Sequence, residues 1–133
     1  MKKYKIIYTT GAFDPFHYGH LKLLERASKL GEELIVGVSS DALNYSKKGR
    51  NPIYLEDVRQ HIISSLGCVN GVFLEESLEL KREYLLHYKA DLLVMGHDWE
   101  GRFDEFKDIC EVVYLPRTPE ISTTELIEQI KKI

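Results

Sequence analysis

The sequence has few cysteines and almost no net charge. Cys68 and Cys110 are its only cysteines, and without a Cys-x-x-Cys pair they indicate neither a disulfide framework nor a zinc site. The 18 basic and 21 acidic residues leave a net charge of −3, so no overall electrostatic attraction draws the chain to nucleic acid or to an anionic membrane. We therefore expect neither as a partner, and no metal ion held by the protein's own side chains.

Long apolar runs are also missing. The longest are strand-sized, far short of the ~20 residues that cross a membrane. The run after the basic residues 1–5 stops at Gly11, which is too short for the core of a signal peptide. These absences predict a cytoplasmic protein, and the length of 133 residues predicts one domain spanning 1–133.

Short β-branched runs alternate with amphipathic stretches along the chain. Apolar residues at helical spacing predict helices around residues 21–30, 55–66, 80–88 and 126–130. Continuous apolar runs, typical of strands buried on both faces, predict strands over residues 5–10, 34–39, 72–74, 92–95 and 112–115. The alternation predicts an α/β protein with a Rossmann-like three-layer fold and a five-stranded parallel sheet.

Polar and glycine-rich residues follow the predicted strands, where ligands bind in this architecture. They lie at positions 11–20, 39–41, 96–98 and 117–118. A further stretch, 44–52, is rich in Lys, Asn, Gly and Pro, a composition typical of a mobile loop. We predict that this loop closes over a ligand.

The strongest motif joins the first strand to the first helix. Residues 11–20 read Gly-Ala-Phe-Asp-Pro-Phe-His-Tyr-Gly-His. Gly11 permits a tight turn, the N–H groups that open the helix form an anion site, and Gly19 leaves room for a phosphate. His17 and His20 lie one turn apart and project from the same side. A phosphate beside them would favour their protonated form.

The two histidines alone have other interpretations. An isolated His-x-x-His is more often a helix cap with surface histidines, and a metal site is a further alternative, although the spacing is not that of His-Glu-x-x-His. With the preceding Gly-x-Phe-Asp, however, the segment resembles the nucleotidyltransferase superfamily of cytidylyltransferases and adenylyltransferases, whose signature is a phosphate-binding His-x-Gly-His. The resemblance implies catalytic roles for His17 and His20. It also implies nucleotide binding by Thr10, Gly11, Ala12, Phe13 and Gly19.

A second block opens the last helix. Ser122 and Glu125 form a capping box, which alone explains a well-made helix start. Arg117 precedes this helix N-terminus, whose hydroxyl groups suit further phosphate oxygens. The resemblance implies that the segment binds the β- and γ-phosphates of the nucleotide through Arg117, which is also catalytic, and through Thr118, Ser122 and Thr123.

A third block follows the fourth strand. Residues 95–104 read Met-Gly-His-Asp-Trp-Glu-Gly-Arg-Phe-Asp, and the chain looks over nearly its whole length like the bacterial glycerol-3-phosphate cytidylyltransferases. This resemblance implies that Asp98 faces the nucleoside, whereas a carboxylate that caps a turn is the alternative. It further implies that Lys47 contacts the reacting phosphates and that Lys47, Asp14 and Arg59 bind the acceptor. Unaided, such charges usually form a solvated face.

Three positions depart from the pattern of those enzymes. Gly67 stands where they carry a second Arg, Asn70 stands where an Asp follows it, and His97 replaces an Asp. The identity of the acceptor alcohol is therefore left open by the sequence.

The resemblance implies a reaction of CTP with a phosphorylated alcohol, above all glycerol 3-phosphate, to give a CDP-alcohol and pyrophosphate. It also implies Mg²⁺ accompanying CTP and a homodimer. One alternative is an adenylyltransferase for a pantetheine or pyridine nucleotide phosphate, although the Trp-Glu-Gly sequence at 99–101 argues against it. Another is a catalytically silent nucleotide sensor, which would have lost a reacting group. The sequence retains all four residues with implied catalytic roles, His17, His20, Lys47 and Arg117, which argues against such a sensor.

Overall fold

Five parallel strands form one sheet in the computed structural model, which describes residues 4–116 and 123–133. In chain order the strands are β1 (Tyr4–Gly11), β2 (Gly31–Ser39), β3 (Gly71–Glu75), β4 (Leu92–Gly96) and β5 (Glu111–Leu115). Their order across the sheet is β3-β2-β1-β4-β5, and each neighbouring pair is parallel. The predicted Rossmann-like sheet is confirmed, strand by strand.

Helices connect the strands. Within the described residues they are α1 (Tyr18–Ser28), α2 (Asp41–Lys48), α3 (Glu56–Ser64), α4 (Lys81–His87) and α5 (Thr123–Lys131). The four predicted amphipathic stretches correspond to α1, α3, α4 and α5. Among the described residues, none of the helices combines the length and apolar character that a membrane span requires.

Each face of the sheet carries its own apolar core, as continuous apolar strands require. Ile7 and Tyr8 are adjacent on β1 and fully buried, and they point to opposite faces because side chains alternate along a strand. Ile7 packs in a cluster with Leu24 of α1 and Ile63 of α3. Tyr8 packs in a second cluster with Leu85 of α4. The sheet is therefore the middle of three layers, as predicted.

The stretch 44–52 is not the continuous loop that its composition predicts. Its first half belongs to α2, which begins where the Ser40 hydroxyl accepts a hydrogen bond from the backbone N–H of Leu43. The helix ends at Gly49, which has φ +71° and donates its N–H to the carbonyl oxygen of Tyr45. A left-handed residue favours glycine at a helix end. Asn44, Lys47 and Lys48 are thus helical, and only the part after Gly49, which includes Asn51, is a loop.

The order of the strands positions the functional site. From β1 the chain moves outward through β2 to β3, then crosses back to β4 on the other side of β1 and continues to β5. The connections therefore diverge on either side of β1, and a crevice opens at the carboxyl ends of the strands at this point. The motif of residues 11–20 follows β1 directly.

Candidate active site

The turn after β1 is built around Phe13. This residue has φ +53°, a left-handed conformation that is uncommon for a residue with a side chain. Its buried ring packs on Gly11, where a Cβ atom would lie only 3.1 Å from the ring. The same ring meets His20 edge-on, with centroids 5.4 Å apart. Glycine at position 11 therefore lets the turn close tightly enough for Phe13 to support His20.

His17 and His20 are held by the start of α1. His17 is the N-cap residue: its Nδ1 accepts the backbone N–H of Gly19 at 3.0 Å, while Nδ1 of His20 accepts the backbone N–H of His17 at 3.2 Å. In a neutral imidazole the other nitrogen then carries the proton. Each ring therefore presents an Nε2–H donor. The Nε2 of His17 contacts the Thr123 hydroxyl at 3.1 Å, which joins α5 to the start of α1.

Burial favours the neutral form of both histidines when no phosphate lies beside them. Burial lowers the pKa of His20 to about 3, and the nearby His17 contributes to that shift. Burial also lowers the pKa of His17. The sequence-based expectation concerned the opposite influence, that of a bound phosphate, which favours the protonated form. In both forms the Nε2–H of each ring remains a hydrogen-bond donor.

A cleft of about 320 Å³ lies at the carboxyl ends of the strands. It brings together most of the predicted site residues, namely Thr10, Gly11, Ala12, Phe13, Asp14, His20, Lys47, Asp98 and Thr123. His17 and Gly19 do not line the cleft and lie at the start of α1. Arg117, Thr118 and Ser122 lie outside the described residues. The sequence prediction thus converges on one site, between α1, α2 and the ends of β1 and β4.

Lys47 reaches the cleft from the last turn of α2. Lys47 is an exposed residue, but partial desolvation lowers the pKa of its ammonium group. The negative charge of Glu75 raises this pKa, and the positive charge of Lys81 lowers it further. Lys47, Glu75 and Lys81 line the same cleft. A phosphate in the cleft would restore the charged form, because an anion favours a cation nearby.

The structure buries Arg59, the residue for which the resemblance implied acceptor binding. Its side chain is fully buried, and Nη2 donates to Asp41 Oδ1 at 2.6 Å. Three further hydrogen bonds go to carbonyl oxygens. Nε donates to the carbonyl oxygen of Tyr54, and Nη1 donates to those of Ala12 at 3.0 Å and Ser39 at 2.7 Å. Arg59 therefore ties the turn after β1 to the end of β2 and the start of α2. It is a positioning residue in this structure.

Asp14 has a similar role. Its two carboxylate oxygens accept the backbone N–H groups of Ile53 at 2.6 Å and Tyr54 at 2.8 Å. These bonds hold the segment between α2 and α3 against the turn after β1. Asp14 lines the cleft, but both of its carboxylate oxygens accept hydrogen bonds from the loop that borders the cleft.

One functional pair was missed by the sequence analysis. Lys81 and Glu75 form an ion pair at 3.0 Å on the cleft floor, with both side chains almost completely buried. Lys81 also donates to the Thr10 hydroxyl at 2.9 Å. No motif surrounds either residue in the sequence. The only available signal was that Glu75 directly follows an apolar strand, at the same edge as the other polar strand ends.

The site has the chemistry of an anion-binding cleft for a transfer between phosphates. It joins helix-start N–H groups, imidazole donors and an ammonium group, and within the described part of the chain no Ser or Cys nucleophile stands beside a base. Among the described residues, no group of three or more His, Cys, Asp or Glu side chains is arranged to hold a metal ion. Such a site catalyses by positioning and charge neutralisation.

The fold and this site agree with the comparisons to known proteins. Residues 8–129 match the family described as cytidylyltransferase-like, and the chain belongs to that family.

Two curated relatives are similar over nearly their whole length. The chain is 44% identical over 126 residues to glycerol-3-phosphate cytidylyltransferase of Bacillus subtilis (strain 168), covering 95% of this chain and 97% of that protein. It is 40% identical over 126 residues to the enzyme of the same name from Staphylococcus aureus (strain NCTC 8325 / PS 47), covering 95% of each. Among solved structures, a lipopolysaccharide core biosynthesis protein from Thermoplasma volcanium GSS1 superposes with a TM-score of 0.75 at 25% identity, covering 87% of this chain and 99% of that chain.

Proposed function

We propose that this protein transfers CMP from CTP to glycerol 3-phosphate, giving CDP-glycerol and pyrophosphate. The observation that carries the proposal is the cleft in which His20, Lys47 and Asp98 meet beside the start of α1. Relatives at 40% and 44% identity named glycerol-3-phosphate cytidylyltransferase support the choice of both substrates.

The reaction requires no protein nucleophile, since a phosphate oxygen of the acceptor attacks the α-phosphorus of CTP and the bond to the β-phosphate breaks. The electron pair of that bond leaves with pyrophosphate. His20, through Nε2–H, would donate to oxygens that gain charge at the α-phosphorus, while His17 orders the start of α1 and Thr123. Lys47 would neutralise charge between the acceptor and the α-phosphate. Each role uses donors that the fold holds in place before the reaction begins.

The nucleotide would lie across the ends of β1 and β4. Asp98 and Trp99 follow β4 and line the cleft, where they suit the nucleoside. The triphosphate would extend along the start of α1 towards Thr123, and the untested residues Arg117, Thr118 and Ser122 would bind its outer phosphates. Mg²⁺ would accompany CTP through phosphate oxygens and water, in keeping with this cation's preference for retaining water ligands.

We also propose a cytoplasmic homodimer. The two cysteines are free thiols, which suits a reducing compartment. Ile53, Leu55 and Val58 form an exposed apolar run at the start of α3, exposed by 60%, 59% and 47%. Exposed apolar patches mark interfaces, and a second copy of the chain is the partner we propose. Light scattering at micromolar concentration should give twice the mass of 15.4 kDa, and a mass of one chain would contradict the dimer.

Pyrophosphate release tests the proposed reaction directly. The purified protein should be assayed with each of the four common ribonucleoside triphosphates against glycerol 3-phosphate, other polyol phosphates, phosphoethanolamine, phosphocholine and 4′-phosphopantetheine. We expect release with CTP and glycerol 3-phosphate, and CDP-glycerol in the product mixture. Turnover with ATP and 4′-phosphopantetheine, and none with CTP, would replace the proposal with an adenylyltransferase.

A further inference from the structure

The ion pair on the cleft floor has no part in the reaction described so far. Lys81 is 1% exposed and Glu75 is 2% exposed, and both line the cleft. Burying two charges costs free energy that their attraction only partly returns. A pair whose only role was stability could be replaced by apolar side chains of similar size. Its position beneath the cleft therefore suggests a role in recognition.

The pair retains hydrogen-bonding capacity. Lys81 has three N–H groups, and among the described residues oxygen partners exist for two: Thr10 at 2.9 Å and Glu75 at 3.0 Å. On Glu75, Oε2 accepts both Lys81 and, at 3.4 Å, the hydroxyl of Tyr8. No hydrogen bond to Oε1 is found in the described part of the chain. The floor thus offers one donor and one strong acceptor next to each other.

Glu75 lies on the opposite side of β1 from the nucleoside position, and Lys81 bridges it to Thr10 at the end of β1, with the centroid of the Phe103 ring 5.1 Å from Nζ on the β4 side. Glu75 ends β3 and Ser39 ends β2, whereas Asp98 and Trp99 follow β4. Because β1 lies between β2 and β4 in the sheet, its end divides the cleft into two arms. With the nucleoside on the β4 side, as the proposed function has it, the acceptor occupies the arm over β2 and β3. Lys47 lines the same cleft as Glu75 and Lys81.

We propose that Glu75 and Lys81 recognise the hydroxyl groups of the acceptor and so restrict it to polyol phosphates. A hydroxyl group both donates and accepts, so it can donate to Oε1 of Glu75 and accept from the spare N–H of Lys81. The phosphate of the same molecule would face Lys47. This inference rests on the proposed function and adds to it the residues that select the acceptor.

The arrangement also disfavours charged alcohols. A choline or ethanolamine tail would carry its positive charge to an arm in which the carboxylate of Glu75 is already paired with the ammonium of Lys81. The added cation would be partly desolvated and repelled by Lys81. A neutral tail with hydroxyls meets no such penalty. A hydroxyl-bearing tail also forms hydrogen bonds with buried polar groups that an alkyl tail would leave unpaired. Sites that hydrogen-bond a substrate hydroxyl reject analogues that lack it.

The experiment compares two acceptors that differ only in their hydroxyl groups, glycerol 3-phosphate and propyl phosphate. With wild-type protein and CTP we expect kcat/KM for glycerol 3-phosphate to exceed that for propyl phosphate by about 100-fold or more, since hydrogen bonds to charged groups are lost. Glu75→Gln should reduce that ratio about tenfold or more while the KM for CTP stays within about twofold. The loss should lie mainly in the KM for glycerol 3-phosphate.

The matched control is Asp108→Asn, which breaks the exposed ion pair of Asp108 with Arg82, the neighbour of Lys81 on α4. It should leave the acceptor ratio unchanged. If Glu75→Gln does not fold, the wild-type ratio decides: equal use of both acceptors overturns the inference and leaves the proposed transfer standing. An unchanged ratio in folded Glu75→Gln also overturns it. Absence of pyrophosphate release with CTP and every acceptor would instead remove the proposed function itself, and this inference with it.

Discussion

His17 and His20 stack face to face, with ring centroids 3.8 Å apart and an angle of 20° between the rings. Their Nδ1 atoms both accept backbone N–H groups of the first turn of α1. These hydrogen bonds fix the tautomer of each ring and, with the stack, the direction of its Nε2–H. Both donors are therefore ordered before substrate binds, which is the condition for stabilising charge as it develops.

Replacing His20 should therefore affect turnover more than binding. His20→Ala is expected to lower kcat by ~10²–10³, or about 3 to 4 kcal/mol, because one pre-organised donor is lost. His61→Ala is the matched control, since His61 is exposed on α3 and away from the cleft. Steady-state kinetics with CTP measures both variants. A raised KM for CTP at unchanged kcat would show that His20 contributes only to binding.

The buried imidazole should also make stability depend on pH. The pKa of His20 is about 3 in the folded protein and 6.5 in a free histidine, so between these values the unfolded chain binds the extra proton. Stability is then fully present above pH 6.5 and falls as the pH drops towards 3. From pH 7 to pH 5 this single group should lower the free energy of unfolding by about 2 kcal/mol.

Urea unfolding at the two pH values measures this effect. His20→Gln removes the titrating group and should lose less stability over the same interval, by about 2 kcal/mol. His61→Gln serves as the control and should keep the wild-type pH dependence. An identical loss in wild type and His20→Gln would show that His20 does not remain neutral in the folded protein.

The sheet and four of the helices could be predicted from the sequence, because both depend on local apolar patterns. The helix α2 could not. Its residues Asn44, Lys47 and Lys48 have a loop-like composition, and the helix depends on the Ser40 cap, on Gly49 and on local hydrogen bonds of Asn44. The buried Asn44 amide donates to the carbonyl oxygens of Ser39 and Ser40. Apolar periodicity carries no signal for such side chain to backbone bonds.

Site residues that follow directly after a strand could be predicted from the strand order. Site residues whose role depends on a buried charge could not. His20 and Asp98 follow β1 and β4, so the topology alone brings them together. The sequence gives no sign that Arg59 is buried or that Lys81 pairs with Glu75. A charged residue in a helix is usually solvated, and only the three-dimensional partners show which ones are exceptions.

Arg59 provides a third prediction. Arg59→Met should lower the free energy of unfolding by about 3 to 5 kcal/mol, because Asp41 would lose its partner in a partly buried site. Three carbonyl oxygens would also lose a donor. Arg82→Met is the control, since Arg82 makes an exposed ion pair with Asp108 and such pairs contribute about 0 to 1 kcal/mol.

Thermal or urea unfolding checks this prediction, and kinetics separates two roles for Arg59. As a positioning residue it should affect both substrates, because Ala12 and Ser39 border the whole cleft. Full stability together with a raised KM for glycerol 3-phosphate alone would instead make Arg59 a direct acceptor ligand.

Lys47 provides the last prediction. It projects from the final turn of α2 over the acceptor side of the cleft, and Lys48 lines the cleft beside it. Lys47→Ala should lower kcat by ~10²-fold through the loss of charge neutralisation between the two phosphates, while the unfolding midpoint changes little because the side chain is exposed. Lys107→Ala is the control, because Lys107 pairs with Asp104 at the surface. Normal turnover by Lys47→Ala would show that Lys48, and not Lys47, neutralises the charge.

Hydrogen exchange adds a second measurement, on the loop that follows α2. The Gly49 amide is bonded to the Tyr45 carbonyl oxygen at 2.7 Å and should be protected before CTP is added. The Asn51 amide should gain protection only after CTP is added.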